Sequence, residues 1–242
     1  ENVITLGMAG NGPLSELATL KEYAEPKKPK TVLWLYYESN DLDDLIAEKS
    51  VPLLTSYLQP EFSQNLIHRQ TEIDERIGKY VAERIESSEA SSITGELESP
   101  EAIGRLWKTR LLRLYNLRSR LLGPPDPKKH EAVMPLFTEI LKKARGRVVA
   151  WGGKLYFVYI PSWSRYRDDV LVHNPFHIKR DKVMGAVKDL NLPVIDIHQE
   201  VFANHPDPLS FFPFRGHAHY TPEGYSEIAK AIVSGVKDKQ QR

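Results

Sequence analysis

The sequence predicts an α/β fold in which a doubly wound parallel sheet carries helices on both faces. Two runs, 31–37 (TVLWLYY) and 154–160 (KLYFVYI), are apolar along nearly their whole length, which is typical of strands covered on both faces. Stretches with helical spacing alternate with such runs, and this alternation indicates crossover connections between parallel strands. The 242 residues, 41% of them hydrophobic and 27% charged, suit one large globular domain.

Each element up to the end of the first long apolar run has its own signal. The β-branched run 3–6 (VITL) ends at a glycine and predicts a buried strand. Residues 13–24 (PLSELATLKEYA) place apolar side chains at helical spacing, and proline suits the first turn of a helix. The run 31–37 then leads into the polar stretch 38–41 (ESND), where we expect the strand to end.

Residues 42–128 follow a helical pattern, which we interpret as an insertion into a single domain of residues 1–242. A proline and a Ser/Glu-rich stretch divide this insertion into candidate helices at 42–58, 61–87 and 101–122. After a proline-rich linker, the patterns predict helices at 130–150, 178–190 and 222–237 and strands at 154–160 and 193–197.

Composition narrows the functions that this chain can have. The formal net charge is +1, so no global charge argues for binding of nucleic acid. Cysteine is absent, which excludes disulfides, thiolate catalysis and cysteine-ligated zinc. No apolar run approaches the roughly 18 residues that a bilayer-spanning helix needs. The early glycines lack the Gly-x-Gly-x-x-Gly order of a dinucleotide fingerprint, and we expect no bound cofactor.

Two loops follow predicted strands, at the edge of a parallel sheet where ligands bind. In loop 7–13 (GMAGNGP), Gly10 and its neighbouring glycines allow a sharp turn that presents a backbone N–H to a cleft. A plain strand-to-helix turn would have the same composition. Asn40 follows the next strand, where its side-chain amide either points into the same cleft or caps the next helix.

A third loop carries His219 just ahead of the last predicted helix. Thr221 is a good N-cap and Pro222 a good first helical residue, so His219 is free to reach the cleft as a general base. The plain alternative is an ordinary surface histidine. His217 and His219 also have the spacing of a metal pair, but no third ligand is apparent nearby and we expect no metal site.

Three phrases in this order resemble the SGNH (GDSL-like) hydrolase superfamily. Residues 7–23 (GMAGNGPLSELATLKEY) and 32–45 (VLWLYYESNDLDDL) are similar to its second and third sequence blocks. Residues 219–232 (HYTPEGYSEIAKAI) are similar to its last block. The resemblance covers residues 2–41 and about 147–235, and leaves out the helical insertion.

The resemblance implies a flavodoxin-like α/β/α sandwich and an ester hydrolase or acyltransferase that works by serine acyl transfer. It assigns the backbone N–H of Gly10 and the side-chain amide of Asn40 to the oxyanion, and the role of general base to His219. The substrate would be a small-molecule or carbohydrate ester. The expectation of a carbohydrate rests on family analogy alone.

Two departures from the family pattern shape these expectations. The Gly-Asp-Ser block is absent, and the run 3–6 corresponds to the second strand of the family. We therefore expect the first, central strand and its nucleophilic serine to lie upstream of Glu1, in a region lost from this chain. Gly216 stands where the family has the aspartate that orients the histidine; Asp207 or a backbone carbonyl is the candidate substitute. We interpret the other serines that were considered as caps or surface hydroxyls: Ser15, Ser39, Ser162 and Ser164.

Two other functions compete with the enzyme. One is a catalytically inactive binding or scaffold protein on the same fold, and the other is a helical interaction module on residues 42–128. Helix 101–122 has one apolar stripe and a basic remainder, with no acidic residue between 102 and 125. It suits a wall of the substrate cleft, and the alternatives are contact with an anionic membrane or a polyanion.

Overall fold

The protein has an α/β fold built on a parallel three-stranded sheet. The structure is a computed structural model that describes residues 3–93, 127–166, 176–216 and 219–240. The strands are β1 (Thr31–Tyr37), β2 (Lys154–Ile160) and β3 (Val194–Asp196), in the spatial order β1-β2-β3. Residues pair in register from Thr31 with Lys154 to Tyr37 with Ile160, so β1 and β2 end together at one edge of the sheet.

The described α-helices lie between and after these strands. Their bounds are α1 Pro13–Thr19, α2 Asp41–Glu48, α3 Pro52–Ser56, α4 Gln70–Ile93, α5 Pro127–Glu131, α6 Met134–Ala150, α7 Phe176–Asp189 and α8 Pro222–Gln240. A π-helical turn, Leu20–Ala24, continues α1, and a second one, His198–Phe202, follows β3. None of the described helices combines the length and the apolar character that crossing a membrane requires.

The strand β2 lies at the centre of the sheet and is buried on both faces. Leu155, Phe157 and Tyr159 join the larger apolar cluster, which includes the buried side chains of α1 and α6. Tyr156 and Val158 point to the opposite face and join a second cluster with the C-terminal part of the chain. The run 154–160 is therefore apolar along nearly its whole length because both faces of the strand are buried, as the pattern predicted.

The strand β1 is covered less completely than β2. Trp34 and Tyr36 are buried in the larger cluster, whereas Leu33 and Leu35, on the alternate face, are 39% and 44% exposed. Among the described residues, β1 pairs with β2 alone and forms an edge of the sheet. An edge strand with uncovered apolar side chains can be extended by a further strand.

The chain divides into two compact units, one of residues 1–64 with 126–242 and the other of residues 65–125. The sheet and the candidate site belong to the first unit. In the second unit, the structure describes α4 and the short turn before it, and places Ile77, Tyr80 and Ile85 more than half exposed. Helix 101–122, predicted from its apolar stripe, lies outside the described residues.

The structure corrects three boundaries within the first 93 residues. The run 3–6 is not a strand: Val3 and Ile4 are 87% and 57% exposed, because no described strand lies beside them to complete a hydrogen-bonded ladder. The helix predicted at 42–58 is broken at Pro52, which lacks an N–H and forces the residue before it into extended backbone. The helix predicted at 61–87 begins only at Gln70.

Candidate functional site

The loop that contains Gly10 joins the N-terminal segment to α1. Gly10 has a φ of +85°, in the left-handed region that other residues adopt at a cost, and it is exposed. A short turn follows, in which the Asn11 N–H donates to the Met8 carbonyl over 3.2 Å. The chain then enters α1 at Gly12, which is buried and occupies the N-cap position without a capping side chain.

The carboxyl group of Glu48 takes the place of that missing cap. Its Oε1 accepts the Gly12 N–H over 2.8 Å, and its Oε2 accepts the Leu14 N–H over 2.9 Å. The Ser15 N–H also donates to Oε1, over 3.3 Å. Glu48 is the last residue of α2 and is 7% exposed. A buried side chain from a distant helix therefore satisfies the free N–H groups at the start of α1.

Asn40 occupies the N-cap position of α2, and its amide makes no capping bond. Its Nδ2 donates to Oδ2 of Asp44 over 2.6 Å, one turn further along the helix. Its Oδ1 is buried and has no hydrogen-bond partner within the described part of the chain. The amide nitrogen carries two hydrogens, and the bond to Asp44 uses one of them.

Asp44 connects Asn40 with the loop of Gly10. A Cβ added at Gly12 would lie 2.7 Å from the Cβ of Asp44 and 2.7 Å from Oε2 of Glu48, so the backbone at Gly12 passes against the side of α2. Two of the three residues that the sequence singles out, Gly10 and Asn40, thus belong to segments that touch the same helical turn. Their sequence separation gave no direct sign of this contact.

His219 is exposed, and its position is fixed by the buried residue that follows it. The Tyr220 hydroxyl donates to the carbonyl of Pro161, directly after β2, and the ring of Tyr220 packs 4.9 Å from that of Phe212. The Thr221 hydroxyl accepts the Gly224 N–H over 3.1 Å, which is the N-cap predicted for α8. His219 therefore lies in a loop anchored at the edge where β1 and β2 end.

Tyrosine side chains gather around Tyr220 at the same edge. Tyr37 is the last residue of β1, and its ring is partly buried. Tyr225, in the first turn of α8, lies 5.5 Å from the ring of Tyr220 and is 52% exposed. Burial raises the pKa of Tyr37, and the nearby Glu38 and Tyr225 act in the same direction.

Sequence reasoning missed the buried ion pair beneath this edge, between Glu38 and Arg165. Both side chains are at most 2% exposed, and the Glu38 carboxylate also accepts the Tyr159 hydroxyl and the Ser162 N–H. The Lys179 ammonium donates to the Glu38 backbone carbonyl over 2.7 Å. The sequence signal for Glu38 was its place directly after a buried strand, whereas nothing in the sequence marked Arg165.

A group of acidic side chains surrounds the loop of Gly10 and the start of α2. Burial, aided by the charge of the neighbouring Asp44, raises the pKa of Asp41 to about 8, although the Tyr37 N–H that donates to Asp41 acts to lower it. Burial also holds the pKa of Glu16 well above its usual range, aided by the charges of Asp41 and Glu48. No group of three or more described residues has metal-ligand geometry, and His217 lies outside them.

The other residues considered from sequence have defined surroundings. Asp207 accepts two hydrogen bonds of 2.7 Å from the Arg215 guanidinium, one at each carboxylate oxygen. Ser162 is fully buried, and its hydroxyl lies 2.9 Å from that of Ser164. Ser15 lies in α1, and Ser39 in the turn after β1.

Comparison of the chain with protein-family models, with curated proteins and with solved structures finds no match.

Proposed function

We propose that this protein is an SGNH-type ester hydrolase or acyltransferase with a doubly wound, flavodoxin-like sheet. One observation carries the proposal: the loop of Gly10 and Asn40 meet at Asp44, while Tyr220 anchors the loop of His219 to Pro161 at the carboxyl edge of the sheet. Residues far apart in sequence thus lie along the edge at which open parallel sheets bind their ligands.

The proposed reaction is acyl transfer through a tetrahedral intermediate. His219 accepts the proton of a serine hydroxyl as the serine oxygen bonds to the ester carbonyl carbon, and the carbonyl oxygen becomes an oxyanion. The Gly10 N–H and the second N–H of the Asn40 amide donate to that oxyanion. His219 then returns the proton to the leaving alcohol, and water or an acceptor alcohol repeats the sequence on the acyl-enzyme.

We place the nucleophilic serine on a strand that pairs with the outer edge of β1. Three features support this position: β1 is an edge strand in the described part of the chain, Leu33 and Leu35 are partly uncovered, and no described strand lies beside the β-branched run 3–6. The buried Oδ1 of Asn40 and Oε2 of Glu16 also have no donor among the described residues. A turn at the end of an added strand would bring backbone N–H groups to them.

The test is covalent labelling of the protein expressed from the complete reading frame of its gene. A fluorophosphonate probe is expected to label one serine, and His219→Ala is expected to abolish labelling while thermal unfolding is unchanged. Asn40→Ala is expected to lower kcat for p-nitrophenyl acetate about 10²–10³-fold, as removal of an oxyanion donor does. Lys230→Ala, on the exposed face of α8, serves as the matched control.

The labelled serine is located by peptide mass spectrometry. Absence of labelling in the folded full-length protein, or labelling that survives His219→Ala, would overturn the proposal.

A second candidate is an inactive binding or scaffold protein on the same fold. The observation that favours it is the glycine at position 216, where the family pattern has an aspartate, together with the pairing of Asp207 with Arg215. Binding of a carbohydrate ester by the full-length protein without turnover would distinguish this function from the enzyme.

A further inference from the structure

The carboxyl group of Glu48 connects the two segments that hold the proposed oxyanion donors. We propose that Glu48 is a positioning residue, which fixes the loop of Gly10 relative to Asn40 and so sets the separation of the two donors. This inference rests on the proposed function. Glu48 does not itself touch the substrate, since it is buried and its oxygens face the start of α1.

The helix α2 provides the rigid part of this connection. Asn40 occupies its N-cap and Glu48 its last position, about 12 Å apart at the rise of an α-helix. Asp44 lies between them, in contact with both Asn40 and the backbone at Gly12. The loop of Gly10 therefore lies along the side of one helix, held at its middle and at its end.

The three N–H groups that Glu48 accepts explain why a carboxyl group is needed. Gly12 has no side chain with which to cap α1, and a side chain there would collide with α2. Both Glu48 oxygens accept, so replacement of one oxygen by an NH₂ group would set a donor against a donor. Glu48→Gln keeps the size of the side chain but leaves only one oxygen that can accept these N–H groups.

The backbone at Gly12 lies against α2, so a substitution at Gly12 tests the same contact from the loop rather than from Glu48. Gly12→Ala keeps Glu48 but places a methyl group 2.7 Å from the Asp44 Cβ, so the loop must move away from α2. If the contact acts as one unit, the double variant is expected to be no worse than the more impaired single variant, because both changes remove the same contact.

Two measurements test the inference, one of them independent of activity. Hydrogen exchange followed by NMR reports the Gly12 amide in Glu48→Gln, and exchange is expected to be at least about tenfold faster than in the unmodified protein. In the protein expressed from the complete reading frame, Glu48→Gln is expected to lower kcat for p-nitrophenyl acetate about 10–100-fold with KM changed less than about twofold. Glu139→Gln, in an exposed pair on α6, is the control and is expected to change neither.

Each outcome decides a separate question. If the enzyme labels at one serine but Glu48→Gln leaves kcat unchanged, the positioning role is wrong and the proposed function stands. If the full-length protein is inactive, the hydrogen-exchange measurement still decides whether Glu48 holds the loop. An unchanged exchange rate of the Gly12 amide in Glu48→Gln would overturn the positioning role. Glu48→Gln could also lower the melting temperature while kcat per folded molecule stays unchanged. Activity would then fall only in proportion to the amount of folded protein, and the positioning role would be refuted.

Discussion

Glu38, directly after β1, and Arg165, after β2, form an ion pair in which neither side chain is more than 2% exposed. The pair lies beneath the edge that carries Asn40 and the loop of His219, and the Glu38 carboxylate also accepts the Ser162 N–H over 2.9 Å. Through these bonds the ends of two neighbouring strands are held together. The rigidity of the candidate site therefore depends on a charged group inside the core.

Removal of one partner of this pair is expected to be severely destabilising. Arg165→Met leaves the Glu38 carboxylate buried without its cation, and we expect the free energy of unfolding to fall by about 3–5 kcal/mol. Urea denaturation followed by circular dichroism measures this loss. Lys230→Ala removes the exposed pair with Glu227 and is expected to change stability by less than about 1 kcal/mol. Similar losses in the two variants would contradict the prediction.

The raised pKa of Asp41 predicts that stability decreases toward alkaline pH. Burial raises the pKa of this carboxyl group from 3.8 to about 8, so the folded state retains a proton that the unfolded state releases. The stabilising contribution is complete below the unfolded pKa and is lost as the pH rises through the folded pKa. We expect the free energy of unfolding to decrease between about pH 5 and pH 9.

The matched variant for this pH dependence is Asp41→Asn, which keeps an acceptor for the Tyr37 N–H. Its free energy of unfolding is expected to vary less with pH over the same range, because the titrating group is gone. Denaturation curves at several pH values measure the difference. An equal slope in both proteins would exclude Asp41 as the source.

The left-handed backbone at Gly10 predicts that alanine at this position destabilises the protein more than asparagine does. Gly10→Ala is expected to destabilise the protein by about 1–2 kcal/mol, the cost of left-handed backbone for a residue with a Cβ. No non-adjacent atom of the described residues lies within 4 Å of the added Cβ, so the cost is conformational rather than steric. Gly10→Asn is expected to cost less, because asparagine tolerates this conformation better. Thermal unfolding of the two variants measures both losses. An equal or larger loss in Gly10→Asn would contradict the left-handed conformation of Gly10.

The hydroxyl of Tyr220 predicts a specific loss when it is removed. Tyr220→Phe leaves the Pro161 carbonyl without its buried donor, and we expect a loss of about 1–3 kcal/mol in unfolding free energy. Tyr225→Phe, at a half-exposed neighbouring tyrosine, is expected to change stability by less than about 0.5 kcal/mol. NMR chemical shifts of the His219 imidazole report the position of its loop. We expect them to change in Tyr220→Phe and to stay the same in Tyr225→Phe, because only the Tyr220 hydroxyl holds the loop to Pro161.

Much of the α/β framework was predictable because its signals are local. The strands β1 and β2 begin and end where their apolar runs do, and α8 starts at Pro222 behind a threonine cap. The break at Pro52 was also visible in the sequence, but the apolar spacing on either side of it concealed the interruption. The strand predicted at 3–6 is wrong because strand formation requires a neighbour, which a local pattern cannot supply.

The sequence by itself determined the α/β class, the bounds of the long strands and the choice of Gly10, Asn40 and His219 as candidate residues, because periodicity, caps and short motifs are properties of neighbouring residues. Only the tertiary structure decided that Glu48 caps α1, that Asp44 joins Asn40 to the backbone at Gly12, and that Tyr220 holds the loop of His219 against the end of β2. These contacts join residues up to 59 positions apart. Such contacts form only when the chain folds, because the buried donors and acceptors must then find partners within the protein.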